Sequence, residues 1–386
     1  MQFGLTETQQ TLKNTVRKFL AAECPIAEVR KQMETDTAYD AALWRKMAEQ
    51  GWTGIIFPEE YGGFGMGMVE MAATLEEMGR ALLPGPFFST VLLAGTLIEG
   101  AGNEAQKQKY LGAICRGETK ATLAMLEESA SWSPDAVKMK VSGLSLTGRK
   151  LFVPDAAVAD VLVVVARVDG ELALCVVPAK ASGVQITNLP AMDGTRKLYE
   201  VAFDSVAIRR EDILAVGDRA RAALDRALDV ATVGLVAEMT GGMQRLLDVT
   251  VEYAKTRKQF GRVIGEFQAV QHQCADMLLY TESSRSAAYY AAWAIHENIP
   301  EARLAVSVAK TYASDAYREV GNRAIQVHGG MGFTWENDAH LYYRRAKASE
   351  LALGDAAFHR ERIAKLVVDA QPAAKEEEVA VMTGRR

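Results

Sequence analysis

Two short segments hold the residues best suited to chemistry. In YAKTRKQFG (253–261), Arg257 and Lys258 close a helical pattern and are followed by Gln259, Phe260 and a glycine. Cations at a helix C-terminus complement the negative end of the macrodipole. The planar donor fork of arginine equally matches phosphate oxygens. In QVHGGMGFTWEN (326–337), His328 precedes Gly329 and Gly330. A helix-terminating turn accounts for that pair as well as a large ligand approaching side-chain-free backbone does. Other reactive residues are poorly grouped: His272 and Cys274 sit two apart on one helix and so point to different faces. His296, His340 and His359 read as surface or cap residues. The chain has no P-loop, HExxH, GxSxG or CxxC pattern, and no metal-ligating set is expected. PEEYGGFGMGM (58–68) contains GxGxG, but no strand leads into it. A structural loop is expected there, with a ligand-cleft wall as the alternative.

These segments need a scaffold, and the apolar periodicity supplies one in three blocks. Over 1–118 the spacing is helical, with Leu12, Val16, Phe19 and Leu20 on one stripe and Leu43, Met47 and Trp52 on another. Thr6 with Gln9 three residues on predicts an N-terminal capping box. Over 119–212 the period shortens to β-branched runs such as ADVLVVVARV and ELALCVVPA, bounded by turn residues. Asp169-Gly170 between two of these runs predicts a two-residue hairpin within an antiparallel β domain. Over 213–370 long helical stripes return: Leu224, Leu228, Ala231, Leu235, Met239 and Leu246; Val270, Cys274, Met277, Thr281, Ala288 and Ile295; and Leu304, Val308, Tyr312 and Val320. Long helices with short connections imply an antiparallel bundle. Residues 371–386 carry few apolar anchors and are expected to form a mobile tail. The fold class is therefore multidomain α+β: an N-terminal helical domain, a central antiparallel β domain and a C-terminal four-helix bundle.

Composition narrows the function. The 386 residues are 49% hydrophobic, enough for a large core, and the formal charge of −5 offers no footprint for nucleic acid. Cys24, Cys115, Cys175 and Cys274 are widely spread, which suits reduced thiols in a cytoplasmic protein. No apolar run reaches the roughly 18 residues of a membrane span, and the N-terminus lacks a signal-peptide pattern.

YAKTRKQFG followed by IGEFQAVQHQCADM, and IQVHGGMGFTWEN followed by RRAK, resemble the two signatures of the acyl-CoA dehydrogenase family. The resemblance covers nearly the whole chain, because the α, β, α order and segment lengths also match. It implies FAD held between the β domain and the bundle, its ADP half reaching a neighbouring subunit. Carried over, Arg257, Lys258, Gln259 and Phe260 would hold the pyrophosphate and adenosine part. Phe267 and Gln268 would lie nearby, and Gln326, Val327, His328, Gly329 and Gly330 would supply backbone contacts. The implied reaction removes an α proton from an acyl-CoA thioester while a hydride leaves the β carbon for the flavin. An electron-transfer flavoprotein or similar acceptor is the implied partner, together with a homodimer, a homotetramer or a heteromer with a related subunit.

The chain departs from that family where proton transfer should occur. The usual Glu-Gly pair corresponds to Leu353-Gly354, and the alternative seat on the first bundle helix corresponds to Ala231 or Thr232. None of these side chains except the Thr232 hydroxyl is even polar. The threonine of the flavin-side strand corresponds to Leu126, and Trp-x-Thr corresponds to Phe152, Val153 and Pro154. Phe152 keeps an aromatic face for the flavin, whereas Pro154 has no N–H to give. Candidate replacement bases are Asp355, two residues past Leu353; Glu238, two helical turns from Ala231; and Asp229, taken to start the first bundle helix; the alternative is that none of them is the base. Asp229, Thr232 and Gly354 are expected to touch the acyl-CoA substrate. Three functions follow: a dehydrogenase with a relocated base, an FAD-binding subunit whose partner supplies the base, or a flavoprotein of different chemistry such as an enoyl-thioester reductase.

Overall fold

Thr6 opens the first helix by the predicted reciprocal bonds, its hydroxyl accepting the Gln9 amide at 3.2 Å while Gln9 Oε1 accepts the Thr6 amide at 2.9 Å. A computed structural model of the chain describes residues 4–369, so the tail expected at 371–386 lies outside the described residues. Helices α1 (Glu7–Glu23), α2 (Ile26–Met33), α3 (Ala41–Glu49), α4 (Met68–Arg80), α5 (Thr96–Ala101) and α6 (Glu104–Cys115) form the N-terminal layer. A π-helical stretch, Phe88–Gly95, leads into α5 and buries nearly all of its side chains. The glycine-rich 58–68 segment folds back on itself as a loop, with Phe64 and Met66 amides donating to Gly54 and Ile55 carbonyls.

The β domain is two four-stranded sheets. One has the order β1 (Ala121–Ala124), β4 (Val161–Val168), β5 (Glu171–Pro178), β8 (Ile213–Val216). The other runs β2 (Val141–Ser142), β3 (Ser145–Pro154), β7 (Leu198–Ala207), β6 (Val184–Leu189). The Asp169-Gly170 turn joins β4 to β5 with both residues at positive φ, 50° and 88°, as a hairpin of matching twist requires. Leu162, Val164 and Ala166 of β4 face the second sheet, while Val163 and Val165 pack in the helical core. Burial on both faces is why this strand reads as a continuous apolar run rather than an alternation. Two details differ from expectation. The β1–β4 pair is parallel, because β1 enters from the helical layer and its partner follows a long excursion through the second sheet. Ile213–Val216 joins β5, so the sheet reaches past the expected boundary at 212.

The C-terminal region holds α7 (Asp218–Thr256), a small hairpin of β9 (Lys258–Gln259) and β10 (Arg262–Val263), then α8 (Gln268–His296), α9 (Ala302–His328), α10 (Ala339–Leu351) and α11 (Ala356–Val367). The first two predicted stripes pack inward over most of their length, with Leu228, Val270 and Cys274 half-buried, whereas of the third only Val320 is buried. Val308 and Tyr312 are 46% and 36% exposed, and α9 instead buries Ala305, Val306, Ala309, Ala313, Ala316 and Val320. Small residues let the helices approach closely, which leaves the bulkier stripe on the outer face. Leu278 and Leu279 of α8 are also exposed.

The N-terminal layer and the bundle meet at backbone distance. A Cβ built on Gly241 of α7 would lie 1.7 Å from Glu76 O, and one on Gly79 of α4 would lie 2.0 Å from Glu238 O. Alanine is favoured over glycine by about 1 kcal/mol in a helix interior. Overpacking costs about 1–3 kcal/mol or more, and here the obstacle is backbone. Gly241→Ala is therefore expected to lower the thermal midpoint; an unchanged or raised midpoint in differential scanning fluorimetry would contradict this packing.

Candidate functional site

The helix ending that the sequence singled out becomes a hairpin. The Arg257 amide caps α7 by donating to Tyr253 O at 2.8 Å, and the chain reverses through Phe260 and Gly261 at φ 52° and 82°. A bulky residue in the left-handed region is an outlier that the surroundings must sustain. Phe260 is nonetheless 91% exposed, with the Phe267 ring edge-on to it at 6.2 Å, while the Arg262 guanidinium lies over Phe267 at 4.1 Å. Arg257, Lys258, Gln259 and Gln268 are exposed around this aromatic step.

The second cluster is brought to the same end of the bundle. The His328 ring stacks on Tyr253 at 4.5 Å, joining the C-termini of α9 and α7. Its Nδ1 lies 2.8 Å from Ala324 O and must donate there, because a carbonyl only accepts. Burial holds this imidazole below its ordinary pKa. His328 and Val327 are thus interior, while Gln326, Gly329 and Gly330 face out, and a Cβ on either glycine would meet nothing within 4 Å. Exposed donors, an aromatic step and open glycine backbone suit the phosphate and adenosine end of a dinucleotide.

The flavin-side candidates lie on β3. A register shift between Lys150 and Val153 sets Phe152 at φ 54° and leaves its ring 43% exposed. Lys150, fully buried, donates to Met125 O at 3.0 Å and Glu127 Oε1 at 2.7 Å and so pins the segment carrying Leu126. Burial draws that amine down to about 8. Pro154 offers only a carbonyl, which accepts from Thr122 Oγ1 at 2.6 Å.

None of the three carboxylates proposed as bases is unengaged. Asp355 is exposed and caps α11, accepting the Phe358 amide at 2.8 Å. Asp229 is not at a helix start, since α7 begins eleven residues earlier at Asp218. It is buried, with Arg362 at 2.6 Å and Arg303 at 3.4 Å. Burial pushes its carboxyl up, and Arg362 opposes that. Glu238 accepts from Arg196 Nη2 at 2.7 Å and faces Arg345 Nη1 at 3.5 Å. Both Glu238 carboxylate oxygens are thus committed to arginine contacts. Thr232 spends its hydroxyl on Leu228 O at 2.6 Å. Leu353 is 5% exposed and, with Gly354, forms a turn at φ 59° and 92°.

The structure also assembles groups that no local pattern marks. Arg345 Nε donates to Asp193 at 2.7 Å and its Nη2 to Thr195 Oγ1 at 2.5 Å. Arg196 lies over the Phe88 ring at 5.1 Å. Nearby Asp155, at φ 53° directly after Pro154, is bonded to Ser89 Oγ at 2.6 Å, and burial pushes its carboxyl up. This buried junction ties the N-terminal layer, the β domain and the bundle together. His340 and His359 are also buried rather than on the surface: α10 and α11 turn them inward, His340 against Trp335 and His359 onto Leu353 O. Arg345 stood within RRAK, but its partners lie 107 to 152 residues away.

Comparison with known proteins agrees with this architecture. Residues 6–118 match the model of the acyl-CoA dehydrogenase N-terminal domain, and residues 220–368 that of the C-terminal domain. The chain is similar to acyl-CoA dehydrogenase IpdE2 of Mycolicibacterium smegmatis, 31% identical over 91% of this chain and 96% of that one. It is similar to acryloyl-CoA reductase (NADH) of Anaerotignum propionicum, 29% identical over 95% and 96% of the two chains. Among solved structures, a chain of the ChsE4-ChsE5 complex from Mycobacterium tuberculosis superposes with a TM-score of 0.88 at 29% identity, covering 97% of this chain and 100% of that one. With both terminal domains matched and the intervening sheets in place, the chain belongs to the acyl-CoA dehydrogenase family.

Proposed function

We propose that this chain is the FAD-binding subunit of an assembly that desaturates the α,β bond of an acyl-CoA thioester to the 2-enoyl-CoA, with the proton-abstracting carboxylate supplied by a second, related subunit. The observation that carries this is the state of the local carboxylates: Leu353 fills the expected seat, Asp229 and Glu238 are held by arginines, and Asp355 caps a helix. Arg257, Lys258, Gln259, Phe260, Phe267 and Gln268 would hold the ADP half, with backbone from Gln326 to Gly330, and Phe152 would face the flavin ring. When bound, FAD supplies the two-electron acceptor, and an electron-transfer flavoprotein or similar protein would reoxidise it. Asp229, Thr232 and Gly354 would flank the thioester-bearing substrate.

Two findings support an assembly. Large apolar side chains are exposed on both α8 and α9, Leu278 and Leu279 on one and Val308 and Tyr312 on the other, and exposed apolar surface beyond scattered single residues marks interaction sites. One structural relative is described as a complex of two named subunits. No helix among the described residues is long and apolar enough to cross a membrane.

The test is to purify the chain alone and co-expressed with a related subunit, record flavin absorbance, and add acyl-CoA thioesters anaerobically. Bleaching is expected only with the partner present. Bleaching by the chain alone would overturn the partner-supplied base. Arg257→Ala is expected to weaken flavin retention about tenfold or more, the loss of a charge-assisted phosphate contact. Unchanged flavin content would remove the phosphate role of Arg257.

A further inference from the structure

Lys310 of α9 lies beneath the Leu353–Gly354 turn with its side chain wholly buried. Its amine has three neutral oxygens around it: Ser314 Oγ at 3.0 Å, Glu350 O at 3.0 Å and Gly354 O at 2.9 Å. His359 of α11 reaches the same turn, with Nε2 3.0 Å from Leu353 O. That nitrogen must carry the proton, since the carbonyl only accepts. Two buried side chains therefore hold three carbonyls within 350–354. The turn needs such support, because Leu353 adopts the left-handed conformation that L-residues avoid.

We propose that Lys310 is a positioning residue which, with Ser314, clamps the Leu353–Gly354 turn in both protonation states of its amine. An ammonium has three N–H groups for three acceptors. A neutral amine keeps two, enough for the carbonyls of Glu350 and Gly354, while the Ser314 hydroxyl rotates to donate to the lone pair. Neither state strands a buried polar group. Both states matter near neutrality, because burial draws the Lys310 amine down to about 7 against the pull of Asp355 and Glu350. The charged groups facing it are few. Glu350 of α10 is paired with Arg318 and Lys347, Asp355 caps α11, and burial draws His359 down to about 4, leaving it uncharged. The clamp rests on the proposed function only in taking this turn as a wall of the acyl-thioester site.

Hydrogen–deuterium exchange of residues 350–355 in the flavin-loaded protein tests it, with intrinsic rates divided out between about pH 5 and 8.5. Wild-type protection is expected to be flat across that range. Ser314→Ala removes the third acceptor, so protection is expected to fall about tenfold at the acid end, where the ammonium is left one acceptor short, and to recover at the alkaline end. Lys310→Met is expected to lose about tenfold at every pH. A merely space-filling lysine would give Ser314→Ala no pH dependence, and that result overturns the clamp. So does exchange in Lys310→Met within about twofold of wild type. If Lys310→Met fails to fold, the Ser314→Ala profile decides alone. Acyl-CoA affinity measured on the same Ser314→Ala samples separates the two claims. A turn loosened at acid pH with unchanged affinity supports the clamp and retires the turn as a substrate wall.

Discussion

Leu353→Glu is expected to let the purified, flavin-loaded chain bleach with acyl-CoA by itself, about 10²–10⁴-fold faster than the unchanged chain, the range a positioned general base contributes. The backbone there does not depend on the leucine side chain. The turn is held through carbonyls, by His359 on Leu353 O and Lys310 on Gly354 O, and neither leucine nor glutamate is β-branched. Leu353 is 5% exposed, so a carboxyl in its place would be partly desolvated, and desolvation raises a carboxyl pKa toward the range useful for proton abstraction. Leu353→Gln has the same size without a titrating group and should stay slow. Anaerobic stopped-flow absorbance on the two variants decides the matter. If glutamate is no faster than glutamine, the turn is not where a base would act in this chain.

Arg345→Met is expected to cost about 3–5 kcal/mol, the range for breaking a buried ion pair by removing one partner. Arg345 is 3% exposed and satisfies Asp193, itself 2% exposed, while holding Thr195 Oγ1 and facing Glu238. Glu238 would keep Arg196, but Asp193 would lose its cation in a site water does not reach. Arg345→Lys should recover only part of the loss, because a single ammonium cannot reproduce the fork that spans Asp193 and Thr195. Thermal melting of the flavin-loaded protein is the measurement. A midpoint within a degree or so of wild type would mean that the junction does not tie the domains, since a loss of 3–5 kcal/mol shifts midpoints by several degrees.

What was legible in the sequence was local. The Thr6–Gln9 cap spans three residues, and the Asp169-Gly170 hairpin needs only the twist of its own strands. The helix ending at Tyr253-Arg257 and the glycines after His328 were visible for the same reason. The α, β, α order was legible in the apolar periodicity, and the resemblance to a known family added the likeness of those two segments to a dinucleotide-binding end. The same local pattern misleads in α9, where Val308 and Tyr312 stay outside and the inward face is mostly alanine, joined by Val306, Tyr317 and Val320.

That no carboxylate stands at 231, 232 or 353 is plain from the residues alone, because an absent side chain needs no structure to be seen. Whether Glu238, Asp229 or Asp355 could replace it was decided only by the tertiary structure. Glu238 meets an arginine 42 residues before it and another 107 after it, and Asp229 meets Arg362 from α11. A side chain's readiness to take a proton depends on its solvation and neighbouring charge, and both are set by distant segments that only folding brings within a few ångströms.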